Sequence, residues 1–286
     1  MATAPASVRQ VPRVTFCGDD RNPLISLLDE VWSSIIGLLE GLPVDAWSLP
    51  ALPGWDVHDV VAHLVGTERM LLGVDRPDMA LPGQPMEHVK NEIGRLNEAW
   101  VVALRGKTSG DLLDLLRAVT AERLGAFDAM DQADFDAPSW TPVGEATYGR
   151  FMEVRVFDSW MHEQDIREAV GQPGHDSGAV VEQSLVEVMR ALGYVVGKRA
   201  GAPDGWSMTI RLTGPVERDI SIEVDGRARV VDELDGPPAA TMTLPSTLFF
   251  RLAGGRLAAD LVVDRIELDG DMEMAQRVVD HLGFTI

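Results

Sequence analysis

In "FDSWMHEQDIREAVGQPG", residues 157–174, an acid and a histidine, Asp158 and His162, stand four positions apart. On a helix this spacing stacks them on one face, where they can offer an oxygen and a nitrogen to a common point. The pair is either part of a metal site or two polar groups that face the same way, and the spacing alone allows both. A third group comes from "PGWDVHDVVAHLVGTE", where Val60, His63, Leu64, Thr67 and Leu71 fall on one side of a helix and turn His63 inward, while His58 falls on the other side and is expected to face solvent. A histidine on an apolar face is more often a satisfied core residue than a ligand. Antiparallel bundles, however, build metal sites from inward groups on facing helices. One ligand on the earlier helix and two on the later one make a mixed nitrogen and oxygen set of three. Zinc sites of that kind keep a fourth position open for chemistry.

The elements that must position these residues follow from periodicity and punctuation. A first helix is predicted over about 23–41, stopped by Gly41 and Pro43. Pro53 and Gly54 make a turn, Asp56 caps a second helix with Asp59 three residues on, and that helix runs to about Gly73. A third helical region covers 87–106, and a fourth runs from a Ser109 cap to about 130. "DQADFDAPSWTPVGEAT" reads as a long loop leading into the helix of Asp158, which starts near Tyr148 and stops at Gly171 and Pro173. A connecting helix follows over about 177–199. From Trp206 the pattern alternates with period two in "WSMTIRLTG", "RDISIEVDG", "RARVVDE" and "AATMTLP", with helices in "PSTLFFRLAGG" and "DMEMAQRVVDHLG" and a strand in "RIELDG". The fold class is therefore mainly α followed by α+β. The expected division is a tail at 1–22, a helical bundle at 23–175, a connecting helix at 176–204 and an α+β domain at 205–286.

Composition narrows the function. With 45 acidic against 25 basic residues the formal charge is −20, which disfavours nucleic acid as a partner. The only lysines are Lys90, Lys107 and Lys198, so an anionic substrate would need a local arginine clamp. No apolar run reaches the roughly 18–20 residues of a membrane span, no secretory signal is visible, and the expected location is the cytoplasm, as a monomer or homodimer. The single cysteine, Cys17, lies in the tail, read as incidental rather than catalytic.

At "PGWDVHDVVAHLVGTE" and "FDSWMHEQDIREAVGQP" the chain resembles the mycothiol-dependent maleylpyruvate isomerase family. The resemblance continues through "LPSTLFFRLAGGR" and "ELDGDMEMAQRVVDHLGF". It implies a DinB-like four-helix bundle, metal-binding, followed by a sterol-carrier-like domain. It places the family's zinc histidine at His63 and its acid and histidine pair at Asp158 and His162, with Asp158 standing where the family usually has Glu. It implies mycothiol as a thiol cofactor whose sulfur adds to the double bond of maleylpyruvate, permits rotation and leaves, so that no protein nucleophile is needed. Arg256 in "LAGGR" is the arginine the resemblance places nearest the substrate, with Arg251 and Arg155 as weaker alternatives.

Further residues carry smaller expectations. Asp165 and Glu163 are read as orienting the histidines or as solvated carboxylates; Trp140, Tyr148 and Arg150 as possible pocket liners; Asp271 as the cap of the last helix; Met272, Met274, Val278 and Val279 as core or tunnel wall. Three functions are consistent with this reading: an isomerase, a mycothiol S-transferase acting on electrophiles, and a non-catalytic carrier with a structural metal.

Overall fold

The computed structural model describes residues 22–77 and 86–285, so Cys17 and nearly all of the expected tail lie outside the described residues. Helix α1 (Pro23–Glu40) begins on Asn22, whose side chain accepts the Leu24 N–H, with Pro23 at the first helical position where its missing N–H is not needed. Strands β1 (Pro50–Leu52) and β2 (Trp55–Asp56) form a small antiparallel pair that delivers the chain to α2 (Val57–Leu71). The Asp56 carboxylate accepts the Asp59 N–H at 2.9 Å, the cap that the spacing predicts. Helices α3 (Glu92–Leu104) and α4 (Ser109–Phe127) follow. The cap of α4 is Thr108 and not Ser109: its hydroxyl accepts the Asp111 N–H at 3.1 Å, and Ser109 is already the first helical residue.

The predicted long loop is structured. It contains the short helix α5 (Gln132–Asp136) and a hairpin, β3 (Pro138–Thr141) paired antiparallel with β4 (Gly144–Thr147). Helix α6 (Tyr148–Ala169) then begins on Thr147, whose hydroxyl accepts the Arg150 N–H. Helices α1, α4, α2 and α6 pack in that cyclic order as a four-helix bundle, with α3 outside on α2. Leu28, Val31, Ile35, Val61, Leu64, Leu112, Leu116, Met152 and Val156 are among the side chains that fill it. Each contributes on the order of 2 kcal/mol by leaving water. Helix α6 is buried around its circumference, because α1 and α2 cover one side and α7 (Ala179–Tyr194) and the C-terminal part cover the other.

The connecting helix is shorter than predicted: α7 ends at Tyr194 and residues Val195–Arg199 form a wider π turn. A five-stranded sheet follows, built from β5 (Ser207–Thr213), β6 (Arg218–Asp225), β7 (Arg227–Val231), β8 (Ala240–Pro245) and β9 (Glu267–Gly270). Its order is β7, β6, β5, β8, β9, with the β5 and β8 pair parallel and the rest antiparallel. Met208, Ile210, Leu212, Ile220, Ile222, Met242 and Leu244 alternate into one core with Phe249 of α8 (Ser246–Ala253) and Met274 and Val278 of α9 (Met272–Asp280). Asp271 caps α9 as predicted, accepting the Met274 N–H at 3.1 Å. Met272 is not core. It is 60% exposed, because the first residue of α9 points away from the sheet.

Candidate functional site

His63 lies in the middle of α2 and Asp158 and His162 lie one turn apart on α6, and the bundle brings the three together. One ligand atom from each falls within 4.8 Å of the others. His63 Nε2 is 3.4 Å from Asp158 Oδ2, His162 Nε2 is 3.8 Å from Asp158 Oδ1, and the two imidazole centroids are 4.7 Å apart. These separations are long for direct hydrogen bonds and suit three donors that share one point between them. No fourth His, Cys, Asp or Glu joins them among the described residues. Both histidines are buried, while the Asp158 side chain keeps 31% exposure, so the open side of the cluster lies at the carboxylate. The residues fit a divalent ion with a vacant position.

Protonation favours the same use. Burial is the main influence on His63 and pushes its pKa below the ordinary value, outweighing the Asp158 carboxylate, so the ring is neutral and able to bind a cation. For Asp158 burial would raise the pKa, but Arg155 and the two histidines prevail and hold the carboxyl well below its usual range.

Around the trio lies a shell of fixed charges. His162 Nδ1 donates to Asp165 Oδ2 at 3.0 Å, which leaves Nε2 facing the cluster; this is the carboxylate to histidine arrangement common behind metal ligands. Burial works against an ionised Asp165 too, yet the His162 hydrogen bond and the Arg256 guanidinium keep its pKa far below normal. Arg155 donates to Asp158 Oδ2 through Nη1, and to Glu68 Oε1 through Nε and Nη2 at 2.9 and 2.6 Å. Glu68 Oε2 accepts from Arg123 Nε at 2.9 Å, so one buried carboxylate joins two buried arginines directly behind the site. On another side the Trp55 ring lies 5.3 Å from that of His63 and 6.3 Å from that of His162. Its Nε1 donates to Glu98 Oε2 at 2.8 Å, and His88 Nε2 donates to the same oxygen at 3.0 Å. Gly54 makes this wall possible: its φ is +82°, and a Cβ there would sit 2.4 Å from the His88 ring.

Other predicted residues fall elsewhere. Arg256 is not at an open mouth; its Nε and Nη2 donate to Asp165 at 3.2 and 3.0 Å and its Nη1 to the Gly254 carbonyl at 2.6 Å. Arg251 donates to Asp165 Oδ1 at 2.6 Å and pairs with Glu168. Glu163 orients neither His63 nor His162: it accepts from Ser34, Arg167 and His175. Tyr148 accepts from Arg123 at 3.0 Å, Arg150 pairs with Glu187 at 2.6 Å, and Trp140 is 54% exposed on β3. His58 bonds the Lys107 carbonyl at 3.0 Å and is half-buried rather than solvent-facing. Glu68, Glu98, Arg123 and Trp55 escaped the sequence reading. The signal was there for Arg123, which occupies the same inward stripe of α4 as Leu112, Leu116 and Phe127. A cavity of about 370 Å³ lies between α6 and α8, lined by Trp160, Met161, Leu248, Phe250 and Arg251; none of the trio lines it.

His175 closes the loop after α6 with a left-handed φ of 50°. Its Nδ1 donates to Glu163 Oε2 at 2.7 Å, and this bond outweighs burial and raises its pKa above the ordinary 6.5. A group whose folded pKa is raised stabilises the fold below its unfolded pKa and loses that contribution as pH rises through the folded value. His175→Gln is therefore expected to cost about 1.5–3 kcal/mol near pH 6. The gap from the parent in urea midpoint should shrink as pH rises above neutrality, and a gap that widens would refute the assignment.

A four-helix bundle with an inward His, Asp, His cluster, joined to a mixed five-stranded sheet, is the class of protein that the fold and site define. The family model for the mycothiol maleylpyruvate isomerase N-terminal domain matches residues 28–167, and the model for the C-terminal domain of the same family matches residues 182–277. The chain belongs to the mycothiol maleylpyruvate isomerase family, a family of enzymes of the isomerase and transferase type. A crystal structure of the mycothiol-dependent maleylpyruvate isomerase is similar, with 15% identity and a TM-score of 0.55 over 86% of this chain and 91% of that one. So is that of a histidine-to-alanine mutant of the enzyme, with 15% identity, a TM-score of 0.54 and the same coverage of 86% and 91%. At this identity the likeness is one of fold. No curated protein matches the chain.

Proposed function

We propose that the chain is a metal-dependent, mycothiol-using isomerase that converts maleylpyruvate from cis to trans, with His63, Asp158 and His162 as metal ligands. The observation that supports this best is the convergence of two imidazole Nε2 atoms and one carboxylate, open on one side, in a chain of this family. Zinc or another divalent ion supplies the acidity that takes the proton from a thiol, and mycothiol supplies that thiol and so the nucleophile. The protein's residues do the rest. Burial keeps His63 neutral, Asp165 fixes the His162 ring with Nε2 forward, and Arg155 holds the Asp158 carboxylate so that Oδ1 faces the cluster. Asp158 has one methylene less than the usual Glu and reaches the cluster nonetheless, since its oxygens lie within 4 Å of both imidazoles. Trp55 screens one side of the histidines from water. No described helix is long and apolar enough to cross a membrane, and the cytoplasm is the compartment we assign.

A second reading, S-transfer from mycothiol to electrophiles, is favoured by one observation. Arg155, Arg251 and Arg256, the arginines expected to clamp a dianion, are each paired with carboxylates of the protein, Glu68 and Asp158, Asp165 and Glu168, and Asp165 respectively. Incubation of the purified, metal-loaded protein with maleylpyruvate separates the two. Fumarylpyruvate formed only when mycothiol is added supports isomerisation. Thiol consumption by uncharged electrophiles without isomerisation selects the transferase, and equal turnover without thiol rejects both.

A further inference from the structure

Asp165 lies fully buried behind His162, and every direction in which its carboxylate can accept a hydrogen bond is filled. Oδ2 takes His162 Nδ1 at 3.0 Å and Arg256 Nη2 at 3.0 Å; Oδ1 takes Arg251 Nη1 at 2.6 Å and Arg256 Nε at 3.2 Å. Three of the four donors come from two arginines at the C-terminal end of α8 and just beyond it, outside the bundle that carries the trio. The backbone is shaped for this. Gly255 has a φ of +66°, a conformation that glycine adopts without strain, and the neighbouring Gly254 lies close to the Met161 side chain of α6, so this turn of "LAGGR" rests against the metal helix. Arg256 Nη1 is occupied as well, by the Gly254 carbonyl at 2.6 Å and Thr285 Oγ1 at 3.5 Å. Its guanidinium is a fixed part of the structure, with its donors directed at protein and not at the open side near Asp158.

We infer that Arg251 and Arg256 are positioning residues of the metal centre that act through Asp165, so that the C-terminal domain completes a site whose ligands all belong to the bundle. Asp165 sets which nitrogen of His162 faces the ion and at what angle, and the two arginines fix Asp165. Partners one step behind a ligand typically change metal affinity by about 10–100-fold when removed. This inference rests on the metal-binding reading above and assigns Arg256 a different task from contact with substrate.

The test is titration of the metal-free full-length protein with Co²⁺ against a competing chelator, with the visible absorption of the bound ion recorded at each step. Arg256→Gln and Arg251→Gln, which act one step further from the ion than Asp165, are expected to weaken Co²⁺ binding by about 10-fold, the lower end of that range, and to alter the shape and intensity of the absorption bands. Arg256→Lys, which restores the charge but only a single donor group, should recover part of the affinity. Glu182→Gln serves as the control. It breaks the ion pair of α7 with Arg218 on β6, which touches no part of the site, and should leave affinity and spectrum unchanged. If Arg256→Gln does not fold, Arg251→Gln and Arg256→Lys carry the same reading. Affinities within twofold of the parent and an unchanged spectrum in the folded arginine variants would overturn the inference, even if those variants melt earlier. A parent protein that binds no Co²⁺ would overturn the metal-binding reading itself, and the inference with it.

Discussion

His63→Ala and His162→Ala are each expected to yield a folded protein that no longer carries stoichiometric metal by elemental analysis. Zinc held by protein ligands is worth about 10 kcal/mol or more in total, so the loss of one of three should cost about 3 kcal/mol, over a hundredfold in affinity. The truncation also leaves a cavity at a buried position, at a cost on the order of 2 kcal/mol. That lies within the 5–15 kcal/mol typical of a stable domain, so the metal should be lost before the fold. The histidines differ in support. His162 is held from behind by Asp165, whereas His63 Nδ1 has no hydrogen-bond partner among the described residues and the His63 ring is kept in place by packing against Trp55. Full retention of metal in both variants would remove the site from under the proposed function.

The largest loss of stability is expected at Glu68. Its carboxylate is 1% exposed and neutralises Arg123 and Arg155, which are 2% and 3% exposed. Glu68→Ala strands two buried guanidiniums, and breaking a buried pair in this way costs about 3–5 kcal/mol. Arg123 keeps the Tyr148 hydroxyl and the face of Phe127, and Arg155 keeps Asp158, so part of the charge remains solvated by protein. Glu68→Gln retains one acceptor and should fall between the parent and the alanine variant. The measurement is the urea midpoint at constant slope. A loss below about 1 kcal/mol for Glu68→Ala would mean that water reaches the arginines and that the bundle interior there is wetter than its packing indicates.

The sequence made part of this legible. The apolar stripe of α2 turned His63 inward, the four-residue spacing stacked Asp158 on His162, and the alternation after Trp206 announced the strands. What it hid follows a pattern. Glu68, Glu98 and Arg123 occupy inward helical positions, where composition alone says that charged side chains do not belong, and only the fold shows which opposite charge meets each of them. The β3 and β4 hairpin escaped because its strands are four residues long, too short for alternation to register among turn-forming residues. Arg256 was marked by the resemblance as the arginine nearest the substrate but was not legible as one bound to Asp165. That depends on the Gly254 and Gly255 backbone and on α6 being covered from the C-terminal side.

Helix α6 holds Asp158 and His162 on one flank, Glu163 on another and the Trp160 and Met161 contacts to α8 on a third. A helix engaged on every side has no idle surface on which neutral change can accumulate. A substitution at a buried position of α6 therefore perturbs the His162 pair, the Glu163 contacts or the seam with α8.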